Sequence, residues 1–236
     1  MTTIIERPAA PTTFVPPATR FRRRAMGAAA VVGGLLTAAG FAATVWETGP
    51  DKLAYLDSLV VDPLRSQVAA VLLHYGYMGI VPMLLALAAM TRNRWRIGGN
   101  IGLALSLPGA FAVTGMLVTD FYDLAIRQSL PAEQAVAVSN AAEELPLAGL
   151  VGGPLIMLTF VGMTVLGVAA WQAGFFHWAM VLPVPASVAT IALPVGAVQG
   201  ITQGALLGLF MVLVGVAAWR MTDEEWVTGL RRPLNP

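Results

Sequence analysis

An all-α, polytopic membrane helix bundle of six transmembrane helices is what this sequence predicts, on three observations. The first is composition: of 236 residues, 57% are hydrophobic and 11% charged, and the mean hydropathy is +0.72. That is more apolar surface than a soluble domain of this length can bury, so the bilayer must act as solvent for most of it. The second is length, since six apolar stretches reach or approach the roughly 20 residues needed to cross ~30 Å of hydrocarbon at about 1.5 Å per residue. The third is the distribution of charge. Arg7, Arg20, Arg22, Arg23, Arg24, Arg92, Arg94, Arg96, Arg220, Arg231 and Arg232 fall on one side of the stack, against Lys52, Arg65 and Arg127 on the other. Basic residues in short loops mark the cytoplasmic side. Both termini are therefore expected in the cytoplasm, which requires an even number of spans, and the chain is placed in the cytoplasmic (inner) membrane.

Residues 1–24 read as a disordered basic cytoplasmic tail, because Pro8, Pro11, Pro16 and Pro17 sit among Thr and Ala with little to bury. Arg20 to Arg24 should then lie on anionic headgroups, at ~1 kcal/mol per basic residue. Orientation accounts for these arginines without a nucleic-acid role. The first span, residues 25–46, is longer than the apolar core of a cleaved signal peptide and reads as an uncleaved helix. Between Glu47 and Ser66, Leu53, Leu56 and Leu59 or Val60 recur at helical spacing with Asp57 between them, predicting one short amphipathic turn along the interface that ends at Pro63. The second span covers 67–90, and the brief turn Thr91 to Arg96 forces it to pack antiparallel to the third, 97–119.

The longest connection, Asp120 to Pro146, contains Pro131-Ala-Glu133, a first-turn signature, followed by an Ala/Val-rich run to Glu144. A short helix over the external face is expected there. The fourth span covers 147–171. The fifth, 178–198, holds Pro183, Pro185 and Pro194, so some of its carbonyls must find other partners or line a cavity. The sixth covers 203–220, and residues 222–236 form a second cytoplasmic tail. There Thr222-Asp-Glu-Glu225 reads either as a capping box starting a surface helix or as plain solvated chain. Gly200, Gly204 and Gly208, Gly98 and Gly102, and Gly149 and Gly153 repeat every fourth position, the spacing that lets helix backbones approach. All six tryptophans lie at or just beyond a predicted span end, where an indole is half buried and its N–H still reaches water.

No Asp, Glu, Lys or Arg falls in the middle of a predicted span, which disfavours a proton-coupled pump. The deep polar residues Thr37, Ser106, Thr114, Thr159 and Thr164 read as hydroxyls bonded back to helix carbonyls or to a neighbour. With no cysteine, a chemically active site has only oxygen and imidazole to use. The candidates lie at the external ends of spans two to four. Asp120 and Asp123 share a helix face if the third helix continues, Glu143 and Glu144 enter the fourth span, and His74, Tyr75 and Tyr77 lie in the second. Brought together, the four carboxylates could serve as acid and base. Asp120, Asp123 and His74 could hold a divalent cation, and His74, Tyr75 and Tyr77 could bind a ligand. The plainer alternative is an acidic rim of solvated charges, with the tyrosines marking the interface. No cofactor is evident.

The segments His74-Tyr-Gly-Tyr77 through Pro82, the Arg-rich turn after it, and Val118-Thr-Asp-Phe-Tyr-Asp-Leu-Ala125 are similar to uncharacterised bacterial multi-spanning membrane proteins of about six helices. The resemblance covers much of residues 67–180 and implies topology, with no catalytic assignment. Two functions follow as expectations. One is a non-enzymatic protein that binds or passes a small or lipid-like molecule, or serves as an envelope-complex subunit with a membrane-protein partner or a second copy of itself. The other is a membrane-embedded enzyme using the external carboxylates on a lipid or isoprenoid-like substrate.

Overall fold

The structure, a computed structural model, describes residues 14–148 and 153–231. The readings placed on Arg7, Pro8, Pro11, Gly149 and Arg232 lie outside the described residues. Regular structure among the described residues is entirely helical. In chain order the α-helices are α1 (Thr19–Ala43), α2 (Lys52–Val61), α3 (Pro63–Met78), α4 (Ile80–Thr91), α5 (Arg96–Met116), α6 (Thr119–Ser129), α7 (Ala132–Glu143), α8 (Gly153–Gln172), α9 (Pro183–Ala189), α10 (Ala197–Arg220) and α11 (Asp223–Thr228). Five stretches are long and apolar enough to cross a membrane: α1, α3 with α4, α5 with α6, α8 and α10. Their outward faces carry Val32, Leu35, Val71, Ile101, Phe111, Val161 and Leu209, all exposed. A water-soluble bundle places polar residues there.

The most intimate contact joins α1 and α10, which run antiparallel. A Cβ at Gly34 would lie 2.5 Å from the carbonyl oxygen of Gly208, and one at Gly208 the same distance from that of Gly34. Gly27 and Gly215 repeat the arrangement two turns away, with a Cβ at Gly215 falling 2.5 Å from Gly27 O. Glycine is required because the facing backbone already occupies the side-chain position. A second antiparallel pair, α5 with α8, closes at Gly102 and Gly162, where a Cβ at Gly102 would sit 2.9 Å from Gly162 O.

The hydroxyls inside these helices behave as their chemistry demands. Ser106 donates to Gly102 O (2.7 Å), Thr114 to Ala110 O (2.9 Å), Thr159 to Leu155 O (3.1 Å) and Thr164 to Phe160 O (2.9 Å), while Thr37 points its hydroxyl at Met211 Sδ (3.9 Å). None is left without a partner.

Charges segregate to the two ends of the bundle. At the basic end α1 begins at Thr19, so Arg20 to Arg24 belong to the helix. Arg20, Arg22 and Arg24 are exposed, but Arg23 turns inward. Its guanidinium meets Asp223 at 3.0 Å and donates to the carbonyls of Ala218 (3.2 Å) and Trp219 (2.7 Å), capping the end of α10. α11 is held here by its capping box: Thr222 accepts from Glu225 N–H while Glu225 accepts from Thr222 N–H. The segment after α10 is therefore helical over Asp223–Thr228.

The stretch expected as a fifth span forms no continuous helix. Pro183 and Pro185 lack the N–H that would bond one turn back, Pro194 stops the chain again, and Gly196 turns it at φ 135°. Three short pieces remain: one turn at Trp178–Met180, α9, and one turn at Thr190–Ala192. Two buried hydroxyls take up carbonyls locally, Ser187 donating to Val184 O (2.7 Å) and Thr190 to Ser187 O (2.6 Å). The broken stretch nonetheless runs the length of the bundle. Arg231 at the basic end donates to Gly174 O, and Gly196 lies beside the backbone of Glu47 at the acidic end. Two other boundaries shift. α3 begins at Pro63 because Asp62 accepts from Arg65 N–H, so the proline that ends α2 also starts α3. α10 begins at Ala197, which takes all three repeating glycines into the helix.

Candidate functional site

At the acidic end α2, α6 and α7 pack as a small layer over the ends of the long helices. Asp51 caps α2 by accepting from Ala54 N–H (2.8 Å), and Pro131 leads into α7. Two ion pairs hold the layer from outside: Arg127 on α6 to Asp57 on α2 (2.7 Å), and Lys52 on α2 to Glu143 at the end of α7 (2.5 Å).

Between those pairs sits Tyr55. Its hydroxyl lies 3.0 Å from Asp120 Oδ1 and 3.2 Å from Asp123 Oδ2, and Ser139 of α7 donates to Asp123 Oδ1 at 2.9 Å. A phenol has one proton, so Tyr55 can donate to only one carboxylate at a time. Burial above all, then the charges of Asp120 and Asp123, push the Tyr55 hydroxyl above its ordinary value of 10.0, so it stays protonated. Lys52 places a positive charge beside it, its ammonium 4.9 Å from the centre of the Tyr55 ring.

Asp120 and Asp123 are thus one turn apart and on one partner, as their spacing predicts. Glu143 joins the same layer through Lys52. Glu144 stays exposed at the end of α7. His74 is directed elsewhere: its Nδ1 is 3.2 Å from the carbonyl of Thr114 on α5, and because a carbonyl only accepts, that nitrogen carries the proton. Tyr75 lies edge-on to His74 at 5.5 Å and is exposed, whereas Tyr77 is buried against Phe41. Among the described residues no three His, Asp or Glu side chains come together as a metal site would require. The residues that sequence reasoning missed are Tyr55 and Ser139.

Beside this cluster the structure opens into a cavity of ≈ 1060 Å³ between α5, α6, α7 and the start of α8. Its walls are apolar, with Phe111, Met116, Ile126, Val138 and Leu155. Asp123, Ser139 and Glu143 line it at the level of the cluster. Phe111 and Met116 are exposed as well as lining it, so the groove opens onto the apolar outer surface of the bundle. At Gly115 on its wall, a Cβ would meet nothing within 4 Å among the described residues. The volume is that of a drug-sized or lipid-chain site, with the usual pattern of an apolar body and a few convergent polar groups.

Fold and groove together define the class as an all-helical chain of membrane-capable helices with an amphipathic cleft at its acidic end. No family model, curated protein or solved structure matches the chain.

Proposed function

We propose that this chain is an integral protein of the cytoplasmic membrane that crosses it six times, with both ends inside, and that holds an amphiphilic, lipid-like molecule in the groove at its outer end. The observation that carries this reading is the groove itself, walled by Phe111, Met116 and Leu155, open toward the apolar face and ending at Asp123 and Glu143. On this reading the broken stretch before α10 is the fifth of the six crossings, since it joins the basic end to the acidic end. The acidic layer of α2, α6 and α7 then stands at the external interface, where α5 alone, at 21 residues, already covers the ~30 Å of hydrocarbon. Binding or passage of the molecule is favoured over chemistry on it, because the polar groups are engaged with one another. Asp123 accepts from Ser139 and shares the Tyr55 proton with Asp120, and Glu143 holds Lys52.

Two experiments test the two halves of the proposal. A chain without cysteine can report its own topology, so Glu133→Cys in α7 should react with a membrane-impermeant maleimide on intact cells and Asn93→Cys should not. The reverse pattern, or equal labelling, overturns the orientation. For the groove, native mass spectra of the gently extracted protein should show a reproducible excess mass that Gly115→Phe removes, because a side chain there starts into open space on the cavity wall. An excess mass unchanged by Gly115→Phe, or none at all, overturns the groove reading. Turnover of a bound lipid that Asp123→Asn abolishes would favour the enzymatic alternative.

A further inference from the structure

The groove also has a chemical preference that its donors and acceptors make legible, and this step rests on the reading that it holds an amphiphile. Among the side chains lining it are five with oxygen atoms: Thr119, Tyr122, Asp123, Ser139 and Glu143. Two of their three hydroxyl protons are already committed, Thr119 donating to Met116 O (2.6 Å) and Ser139 to Asp123 Oδ1 (2.9 Å). Asp123 and Glu143 are acceptors with lone pairs to spare, since a carboxylate can take about four hydrogen bonds. Among the described residues no Lys or Arg lines the cavity. Lys52, which is not among the lining residues, is held on Glu143 Oε1 at 2.5 Å. The polar end is therefore rich in acceptors, poor in donors and negatively charged.

We infer that the groove selects amphiphiles whose head carries an ammonium group, as an ethanolamine lipid does, and discriminates against heads that are purely anionic. An ammonium brings three N–H donors and a positive charge to Asp123 and Glu143, and charge-assisted bonds of this kind are the strong ones. A phosphate without an amine would set its acceptors against the two carboxylates.

The test uses the full chain in nanodiscs of a neutral lipid, with lysophosphatidylethanolamine and lysophosphatidylglycerol of the same acyl chain as probes. Binding is read by displacement of a fluorescent acyl probe. The ethanolamine form should bind about tenfold more tightly than the glycerol form, the difference one charge-assisted bond supplies. Glu143→Gln, which gives up the exposed ion pair with Lys52 but no buried contact, should shrink that ratio several-fold by weakening the ethanolamine form while leaving the glycerol form unchanged or improved. Gly115→Phe should remove binding of both. Equal affinity for the two probes, or a ratio untouched by both Glu143→Gln and Asp123→Asn, overturns the head-group inference while leaving the groove in place. Failure of Gly115→Phe to reduce binding of either probe overturns the groove reading instead.

Discussion

Along the contact of α1 with α10, at Gly27, Gly34, Gly208 and Gly215, a neighbouring backbone has taken the room a side chain needs, whereas at Gly115 that room is open. The two regions lie in the same bundle and use the same residue for opposite ends. At Gly34 and Gly208 the missing Cβ allows two helices to touch, and the packed interface this creates is the scaffold. At Gly115 the missing side chain helps leave a cavity between α5 and α7, and a cavity in an otherwise packed molecule is costly unless something fills it. Glycine spacing alone does not separate the two roles. What separates them is whether another element stands opposite.

Gly208→Leu breaks the comparison most severely. Its side chain runs into the carbonyl of Gly34 and the Cβ of Ala38, so the helices must separate, and the loss should exceed about 3 kcal/mol. Thermal unfolding in detergent should show a large drop in midpoint or no cooperative transition, and a midpoint near that of the parent would show that the seam is not the scaffold. Tyr55→Phe comes next. It removes the donor shared by Asp120 and Asp123 and should cost ~1–3 kcal/mol, since half-buried carboxylates are left with one partner fewer. The same substitution has a signature in pH. Tyr55 has its pKa raised in the folded state, so below its ordinary 10.0 neither folded nor unfolded chain ionises it and its contribution is constant. As pH rises beyond 10.0 the unfolded chain loses the proton while the folded one resists, and stability falls. Tyr55→Phe should flatten that alkaline loss relative to the parent; an unchanged slope would remove Tyr55 from the cause. Gly115→Phe sharpens the comparison with the smallest effect on folding, within ~0.5 kcal/mol of the parent, while occupancy of the groove disappears.

The long helices were legible because hydropathy and charge act locally: α1, α5, α8 and α10 follow from runs of apolar residues between basic or acidic turns. α7 followed from Pro131 and Glu133, and α2 from the spacing of Leu53, Leu56 and Leu59. The prolines of residues 178–198 pointed to freed carbonyls. Their joint effect, with Gly196, goes further and leaves no continuous helix at all. The site was legible only in half. Asp120 and Asp123 are three residues apart and read as a pair, but their partner Tyr55 lies 65 residues from Asp120, in a helix whose sequence announces an apolar face and nothing more. His74 illustrates the reverse, a residue whose rarity at that depth drew notice and which the fold settles on a backbone carbonyl of α5. Nothing in the spacing of Phe111, Gly115 or Met116 separates a groove wall from a helix contact. That difference depends on what α7 and α8 leave uncovered.

The tie between Arg23 and Asp223 also sets a timetable. The two residues are 200 positions apart, and a ribosome adding roughly 5–20 residues per second needs roughly 10–40 s to cover that distance. Through that interval α1 has been made and α10 has not, so its bare glycine face and the unneutralised guanidinium of Arg23 must wait in the company of α3, lipid or an insertion factor. Helix α1 is thus completed only when α10 arrives, and substitutions on its α10-facing side should act on yield during biogenesis before they act on the finished protein.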